Sequence, residues 1–290
     1  MRCRTLLPLS LLFLAAPASA APLKILVTSF EAYNGRSVNG SLQVAEALKA
    51  LSRPGEVEFV TCTLPVEFGV AGKRAIDCFE NEEPKPAMVL SLGESPSRAC
   101  AVSLETRAAN LMVDFLDGDA KGVKKAFEKV EEGGPLYEPL TLPVPEMFCT
   151  VEAGLNDELE PSASAGEFVC NDVAYQLARY LKPKKIPSGF IHVPAPGRCE
   201  EDRPASETAG RLRAMLMAAA QSLNDSNPAF KGTVPIPCDT PEVSAELKAL
   251  SSFASKSCLA IVKKDIAARA AEENKKIPPL LRAKYKGAKP

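Results

Sequence analysis

Short apolar runs alternate with amphipathic segments along the first part of the chain. The runs at residues 24–29, 57–64 and 87–92 are rich in aliphatic and β-branched residues, which is typical of buried strands. Between them, residues 41–51 and 66–79 have the apolar spacing of helices. This alternation predicts an α/β fold, a three-layer α/β/α sandwich with a mainly parallel sheet.

The same alternation continues in the middle of the chain after an interruption. Residues 100–104 predict a fourth strand, whereas residues 113–145 are rich in Gly, Pro and charge and predict an extended loop region. A strand-like apolar run at residues 168–170 leads into a helix over residues 171–181, and residues 189–193 predict a further strand. Ligands bind such sheets at the carboxyl ends of strands, where we expect the functional residues to lie.

The last part of the chain has a different character. A long amphipathic helix is predicted over residues 205–223, and several prolines follow it. Helical stretches at residues 242–254 and 258–274 then precede a basic tail. We therefore predict an α/β domain at residues 21–224 and a C-terminal helical extension at residues 225–290.

Residues 1–20 have the three-part pattern of a secretory signal peptide. Arg2 and Arg4 precede an apolar core at residues 6–16, and Ala18-Ser19-Ala20 forms a small-residue cleavage site. That core is shorter than the ~20 residues that a membrane-spanning helix needs. We predict that the signal is cleaved, that no membrane span remains, and that the protein is periplasmic or secreted.

Composition excludes several classes of function. An apolar fraction of 46% predicts a packed core and not a disordered chain. With a formal charge of −1, the chain lacks the basic character of a nucleic-acid-binding protein. The chain has a single His, which excludes zinc sites built on several imidazoles, and nothing implies another metal or a cofactor.

Export changes how the cysteines are interpreted. Eight cysteines remain after removal of the signal, and an exported protein would pair many of them as disulfides. The absence of a C-x-x-C motif argues against a zinc ribbon or a thioredoxin-type redox site. Connectivity stays open, but we expect one bridge from the C-terminal group Cys199, Cys238 and Cys258.

Two residues suggest nucleophilic catalysis. Cys170 opens a predicted helix, where backbone N–H groups and the helix dipole would lower the pKa of its thiol, although a half-cystine or a buried small residue would also fit. His192 lies near the end of another predicted strand, which is the arrangement that Cys–His catalysis requires, although a lone strand His is more often a core residue. Glu105 is one of several carboxylates able to orient the imidazole.

Five separated segments carry a more specific signal, and they are KILVTSFE at 24–31, LETRAAN at 104–110, GPLY with TLP at 134–137 and 141–143, AGEFVCN at 165–171, and GFIHVP at 189–194. In this order they resemble the motifs of the pyroglutamyl peptidase I (pyrrolidone-carboxylate peptidase) family of cysteine exopeptidases. In that family the second motif usually reads E-R-x-A-x-N. The resemblance spans about residues 23–223.

The resemblance implies a role for each matched residue. Cys170 would be the nucleophile, His192 the general base and then acid, and Glu105 the residue that fixes the His tautomer. Arg98 would support the oxyanion. Residues implied to line the substrate pocket are Phe30, Tyr33, Phe168 and Val169. The implied substrates are peptides with an N-terminal pyroglutamate, and such an enzyme needs Cys170 outside any disulfide.

Two loops depart from the family pattern. The family's Gly-Gly before the arginine is Pro96-Ser97 here, and Pro fixes φ and removes an N–H donor. The family's Pro-Phe-Gly-Gly after the first strand is Ala32-Tyr33-Asn34-Gly35, which keeps an aromatic ring but adds a hydroxyl. Two alternatives therefore stay open, namely a related binding protein with impaired catalysis and a cysteine amidase of altered specificity. The sequence leaves the oligomeric state open.

Overall fold

The computed structural model describes residues 22–95, 100–114, 116–151, 159–199, 203–226 and 256–276. Several predictions lie outside these ranges, and they concern the signal at residues 1–20, the Pro96-Ser97 loop with Arg98, Cys238, and the helix over residues 242–254.

Ten strands occur in the described ranges. In chain order they are β1 (Leu23–Phe30), β2 (Val57–Leu64), β3 (Met88–Ser95), β4 (Val102–Glu105), β5 (Arg107–Ala109), β6 (Met112–Asp114), β7 (Lys125–Glu128), β8 (Tyr137–Pro139), β9 (Leu159–Ser162) and β10 (Ser188–Pro194). Six of them form one sheet in the order β2-β1-β3-β10-β4-β9. Every neighbouring pair in this sheet is parallel except β10 and β4, which are antiparallel. The mainly parallel sheet is thus confirmed.

Helices pack on both faces of this sheet. They are α1 (Gly40–Ala50), α2 (Val70–Asn81), α3 (Val144–Val151), α4 (Val169–Leu181), α5 (Ala205–Ser226) and α6 (Lys256–Lys276). One hydrophobic cluster joins α1, α3 and α5 to the sheet, and a second joins α2 and α4 to its other face. β1 supplies alternate residues to both clusters, so all eight of its residues are buried. The three-layer sandwich is confirmed.

The prediction of a loop over residues 113–145 is wrong in part. This stretch contains β7, β8 and the beginning of α3, and β6 starts just before it. β5 pairs with β8 and β6 pairs with β7 in two small antiparallel sheets. Each of these strands has only three or four residues, which is too short for a period of two to show in the sequence.

Disulfides join separate elements of the fold. Three are present among the described cysteines, and they are Cys62–Cys78, Cys100–Cys199 and Cys149–Cys258. The expectation of one bridge from the C-terminal group was wrong, because Cys199 and Cys258 each pair with a cysteine of the α/β domain. Cys170 takes part in no disulfide, as the enzyme prediction requires.

Of the predicted C-terminal extension, the structure describes the last two residues of α5 and the helix α6. This helix packs against α3 and β9, at the edge of the central sheet. It therefore lies against an edge strand of the sheet. In the portion of the chain that the structure describes, no helix is both long and apolar enough to cross a membrane.

Candidate active site

An imidazole and a carboxylate meet on the face of the sheet that carries α2 and α4. His192 Nδ1 lies 2.8 Å from Glu105 Oε1, and the two side chains are 6% and 0% exposed. Glu105 is directly opposite Phe190 in the β4–β10 pair, and Phe190 shares a face with His192 two residues along. The pairing register therefore brings the two groups together.

The geometry corrects one expectation about strand ends. Because β4 runs antiparallel to β10, the carboxyl end of β4 lies beside the middle of β10. Glu105 is the last residue of β4, so this strand end lies beside His192. His192 itself lies two residues before the end of β10. A carboxylate at Nδ1 favours the tautomer with a proton on that nitrogen, which leaves Nε2 to accept one.

Cys170 reaches the same place from the helix layer that packs on this face of the sheet. It is the second residue of α4, so the prediction that Cys170 opens a helix is confirmed, whereas the strand-like run predicted at residues 168–170 is wrong. A Cβ placed on Gly93 would lie 2.9 Å from Cys170 Sγ and 2.7 Å from the Phe190 ring. Gly93 is directly opposite His192 in the β3–β10 pair. The absence of a side chain at Gly93 therefore lets the thiol approach the sheet beside the imidazole.

The first turn of α4 is anchored by side chains that follow Cys170. Asn171 donates to the carbonyls of Ala109 and Leu111, each at 2.8 Å, and accepts from the Ala109 N–H at 2.7 Å. Asp172 accepts from the Gly69 N–H at 2.7 Å, and burial raises the pKa of Asp172. These bonds fix where the thiol lies relative to the sheet.

Aromatic rings gather beside the thiol. The Phe168 ring lies 5.7 Å from that of Tyr33 and 5.1 Å from that of Phe68, the latter in an edge-on arrangement. Phe30 and Val169 are 2% and 0% exposed and belong to the hydrophobic cluster on which these rings pack. The four residues predicted to line a pocket thus fall in one region. Arg98 is outside the described residues.

The Tyr33 hydroxyl is engaged by a neighbouring loop. It donates a hydrogen bond to the Gly118 carbonyl. Burial raises the pKa of Tyr33, and the nearby carboxylates of Asp114, Asp117 and Asp119 raise it further. The extra hydroxyl of this chain therefore has a local partner, and the ring keeps its contact with Phe168.

Sequence reasoning missed two residues of this region. Phe68 follows the carboxyl end of β2, as Phe30 ends β1, so an aromatic residue just past a predicted strand end was the available signal. Gly93 ends an apolar run, but its importance depends on a thiol that comes from a distant helix. In the described ranges, no group of three His, Cys, Asp or Glu side chains is placed to hold a metal ion.

This arrangement has the parts of a nucleophilic site. A thiol at a helix start can be held as thiolate by the dipole and backbone N–H groups. An adjacent imidazole, oriented by a buried carboxylate, can accept and return a proton. The aromatic cluster offers an uncharged surface for a small ring.

Comparisons with known proteins agree on one family. The sequence model of the pyroglutamyl peptidase family matches residues 23–246. The pyrrolidone-carboxylate peptidase of Vibrio parahaemolyticus is 32% identical over 204 residues, which are 70% of this chain and 93% of that protein. The peptidase of that name from Vibrio vulnificus is 34% identical over 172 residues, which are 59% of this chain and 78% of that protein.

Solved structures agree as well. A pyrrolidone carboxyl peptidase from Thermococcus litoralis is similar with a TM-score of 0.62 and 25% identity, over 70% of this chain and 96% of that one. A pyrrolidone carboxyl peptidase from Pyrococcus furiosus is similar with a TM-score of 0.60 and 28% identity, over 69% of this chain and 99% of that one.

Proposed function

The chain belongs to the pyroglutamyl peptidase family of cysteine-type hydrolases, and from this premise we propose that it is an exported exopeptidase that removes N-terminal pyroglutamate from peptides. The observation that carries the proposal is the buried His192–Glu105 pair, at 2.8 Å, next to the glycine against which the Cys170 sulfur lies. The names of the related peptidases supply the substrate class.

Each residue of the site has one chemical task in this mechanism. The Cys170 thiolate attacks the carbonyl carbon of the pyroglutamyl residue, and the bond from that carbon to the next nitrogen breaks. Protonated His192 gives its proton to the departing amine, and a thioester remains on sulfur. Water then attacks the thioester while His192 takes the proton of that water. The bond from the carbonyl carbon to sulfur breaks and pyroglutamate leaves, which restores the Cys170 thiolate and the protonated His192 of the starting state. Glu105 holds the imidazole in the required tautomer throughout.

The aromatic cluster suits the pyroglutamyl ring because that ring carries no charge and can pack on apolar surface. Pyroglutamate has no free amine, and its ring offers one lactam donor and one acceptor. The rings of Tyr33, Phe68 and Phe168 provide an apolar surface of the right kind. We expect selection against an ordinary N-terminal residue, since its ammonium would lose hydration against the three rings.

Export rests on two observations. The sequence begins with a signal-like segment, and three disulfides occur among the described residues, which is typical of an oxidising compartment. A periplasmic or secreted protein would also have to keep Cys170 reduced. Pairing of the other cysteines among themselves lowers the chance that one of them captures the catalytic thiol.

The test is hydrolysis of pyroglutamyl-aminocoumarin by the mature protein, with alanyl-aminocoumarin as the control substrate. We expect turnover of the first only, and loss in both Cys170→Ser and His192→Ala. Arg211→Ala, on the surface of α5, is the control variant and should keep full activity. A folded, reduced protein without turnover would contradict the proposal and favour the binding-protein alternative. Turnover of other acyl-aminocoumarins in preference would favour the amidase.

The state of the thiol is tested separately. Alkylation without reductant, followed by peptide mapping, should label Cys170 and leave the six cysteines of the three disulfides unlabelled. Recovery of Cys170 in a disulfide-linked peptide from the exported protein would contradict the catalytic role.

A further inference from the structure

Arg107 joins the extension helix to the neighbourhood of the active site. It lies on β5, two residues after Glu105, and its side chain makes three contacts. Nε donates to the Ala163 carbonyl at 2.8 Å, and a terminal nitrogen donates to the Ala270 carbonyl of α6 at 3.2 Å. The guanidinium carbon lies 3.7 Å from the centre of the Tyr137 ring.

These contacts connect three segments that are distant in sequence. Ala163 belongs to the segment that leads from β9 to Phe168, the aromatic residue at the N-cap of α4. Tyr137 belongs to β8, and Ala270 belongs to the extension. One side chain therefore sets the position of a pocket segment relative to α6. Hydrogen bonds from a charged guanidinium to carbonyl oxygens are stronger than those from a neutral donor.

The extension helix is held firmly enough to serve as a support. Cys258 links α6 covalently to α3, and Val262 is 3% exposed against the domain. Farther along, Arg269 pairs with Glu160 of β9 at 3.4 Å. The Ala270 carbonyl lies one residue beyond this ion pair, so it is close to the sheet edge.

Arg107 departs from the family motif, and α6 departs from the matched solved relatives. In the family motif quoted above, the arginine directly follows the glutamate, whereas here Thr106 takes that place and the arginine comes one position later. The solved relatives are matched over 96% and 99% of their length by about 70% of this chain, so α6 belongs to sequence added beyond the shared fold.

We propose that Arg107 is a positioning residue for the pyroglutamyl pocket, and that the extension helix α6 holds it in place. The inference rests on the proposed function and deepens it. Loss of the support would loosen the segment from Ala163 to Phe168 and so weaken substrate binding. Cys170 would stay in place, because Asn171 and Asp172 anchor the first turn of α4 through other partners.

The experiment uses the full mature chain and a double-mutant cycle. Arg107→Ala is one change, and the other detaches α6 by Cys149→Ser and Cys258→Ser with Val262→Asp. Arg211→Ala is the matched surface control. We expect each change to raise KM about tenfold while kcat stays within about threefold, and we expect the combination to be no worse than either alone. Arg107→Lys, which keeps one donor and the charge, should recover part of the loss.

The proposal would be overturned by an unchanged KM in Arg107→Ala, by an unchanged KM in the detached variant, or by full additivity of the two changes. Additivity would mean that Arg107 and α6 act independently. A loss confined to kcat would place the defect at the reacting groups and would also contradict a role in the pocket.

A second readout does not depend on turnover. Hydrogen exchange followed by mass spectrometry should show faster exchange at residues 163–168 in Arg107→Ala and in the detached variant, with no change in Arg211→Ala. If the wild type lacks peptidase activity, the proposed function fails and this measurement still tests the coupling. Unchanged exchange in both variants would overturn the coupling even in an active enzyme.

Discussion

The proposed catalytic pair and the proposed pocket wall are built in different ways. His192 and Glu105 lie on strands inside a six-stranded sheet and are almost fully buried. Tyr33, Phe68 and Phe168 lie in the segments that follow strands or precede helices. Backbone hydrogen bonds on both sides hold the first group, whereas side-chain packing holds the second.

This difference separates the chemistry from the specificity. A sheet position cannot shift without breaking its ladder, so the imidazole and carboxylate keep one geometry. Loop positions tolerate change more readily, which is where the chain departs from its family pattern at Tyr33. The Tyr33 hydroxyl donates to the Gly118 carbonyl of another loop, so this hydrogen bond joins the two loops. Mutations in the sheet should therefore lower kcat, and mutations in the loops should raise KM.

The largest expected effect breaks the sheet-borne pair. Glu105→Gln keeps the size of the side chain but can donate to Nδ1, which favours the wrong imidazole tautomer, so kcat should fall by ~10³–10⁴. Glu138→Gln is the control, because the Glu138 side chain is also buried, at 1% exposed, and pairs with Lys182 at 2.6 Å outside the site. That variant should lose stability and keep kcat. Steady-state kinetics decides, and a kcat within tenfold of wild type for Glu105→Gln would contradict the role.

A smaller effect is expected in the loop-borne wall. Phe168→Ala removes the ring that contacts both Tyr33 and Phe68, so KM should rise roughly 10- to 100-fold with a smaller change in kcat. Phe79→Ala is the control, because Phe79 is 2% exposed in the same cluster but lies on α2. It should destabilise the fold by about 3–5 kcal/mol and leave KM unchanged. Equal KM changes in both variants would remove the distinction between wall and core.

The smallest effect concerns Asp172, which anchors the helix that carries the thiol. Burial raises its pKa above the ordinary value of 3.8, so the folded state binds this proton more tightly than the unfolded chain does. The contribution to the free energy of unfolding is therefore greatest below pH 3.8 and falls as the pH rises through the raised pKa. Asp172→Asn lacks this titration. Urea unfolding at several pH values should show that the wild type loses stability relative to the variant as the pH rises. A difference that stays constant or grows with pH would contradict this.

The sequence predicted the long elements well because burial imposes a clear period on them. β2 was predicted over residues 57–64, where the structure places it. The motifs also pointed to a thiol, an imidazole and a carboxylate that the structure places in one region of the sheet. The direction of β4 could not be predicted, because a four-residue apolar run reads the same in a parallel or an antiparallel pair. The helix over residues 144–151 was missed for a similar reason, since it has only eight residues.

Other features depend on contacts that no local pattern records. The run Phe168-Val169-Cys170 is apolar and short, so a strand and a first helical turn fit it equally, and the tertiary bonds of Asn171 decide for the helix. The partners of Cys100 and Cys149 are set by which loops and helices meet in space. The domain boundary at residue 224 stays a prediction, although α5 continues to Ser226.

Two of the disulfides close large covalent loops in the chain. The loop closed by Cys100–Cys199 overlaps the loop closed by Cys149–Cys258. A single nick of the backbone anywhere between Cys100 and Cys258 therefore leaves both fragments joined through sulfur. Such a two-chain form would migrate as one species until it is reduced. The segment that carries Cys170 and His192 lies wholly inside this doubly linked stretch, so its attachment to the rest of the protein does not depend on an unbroken backbone.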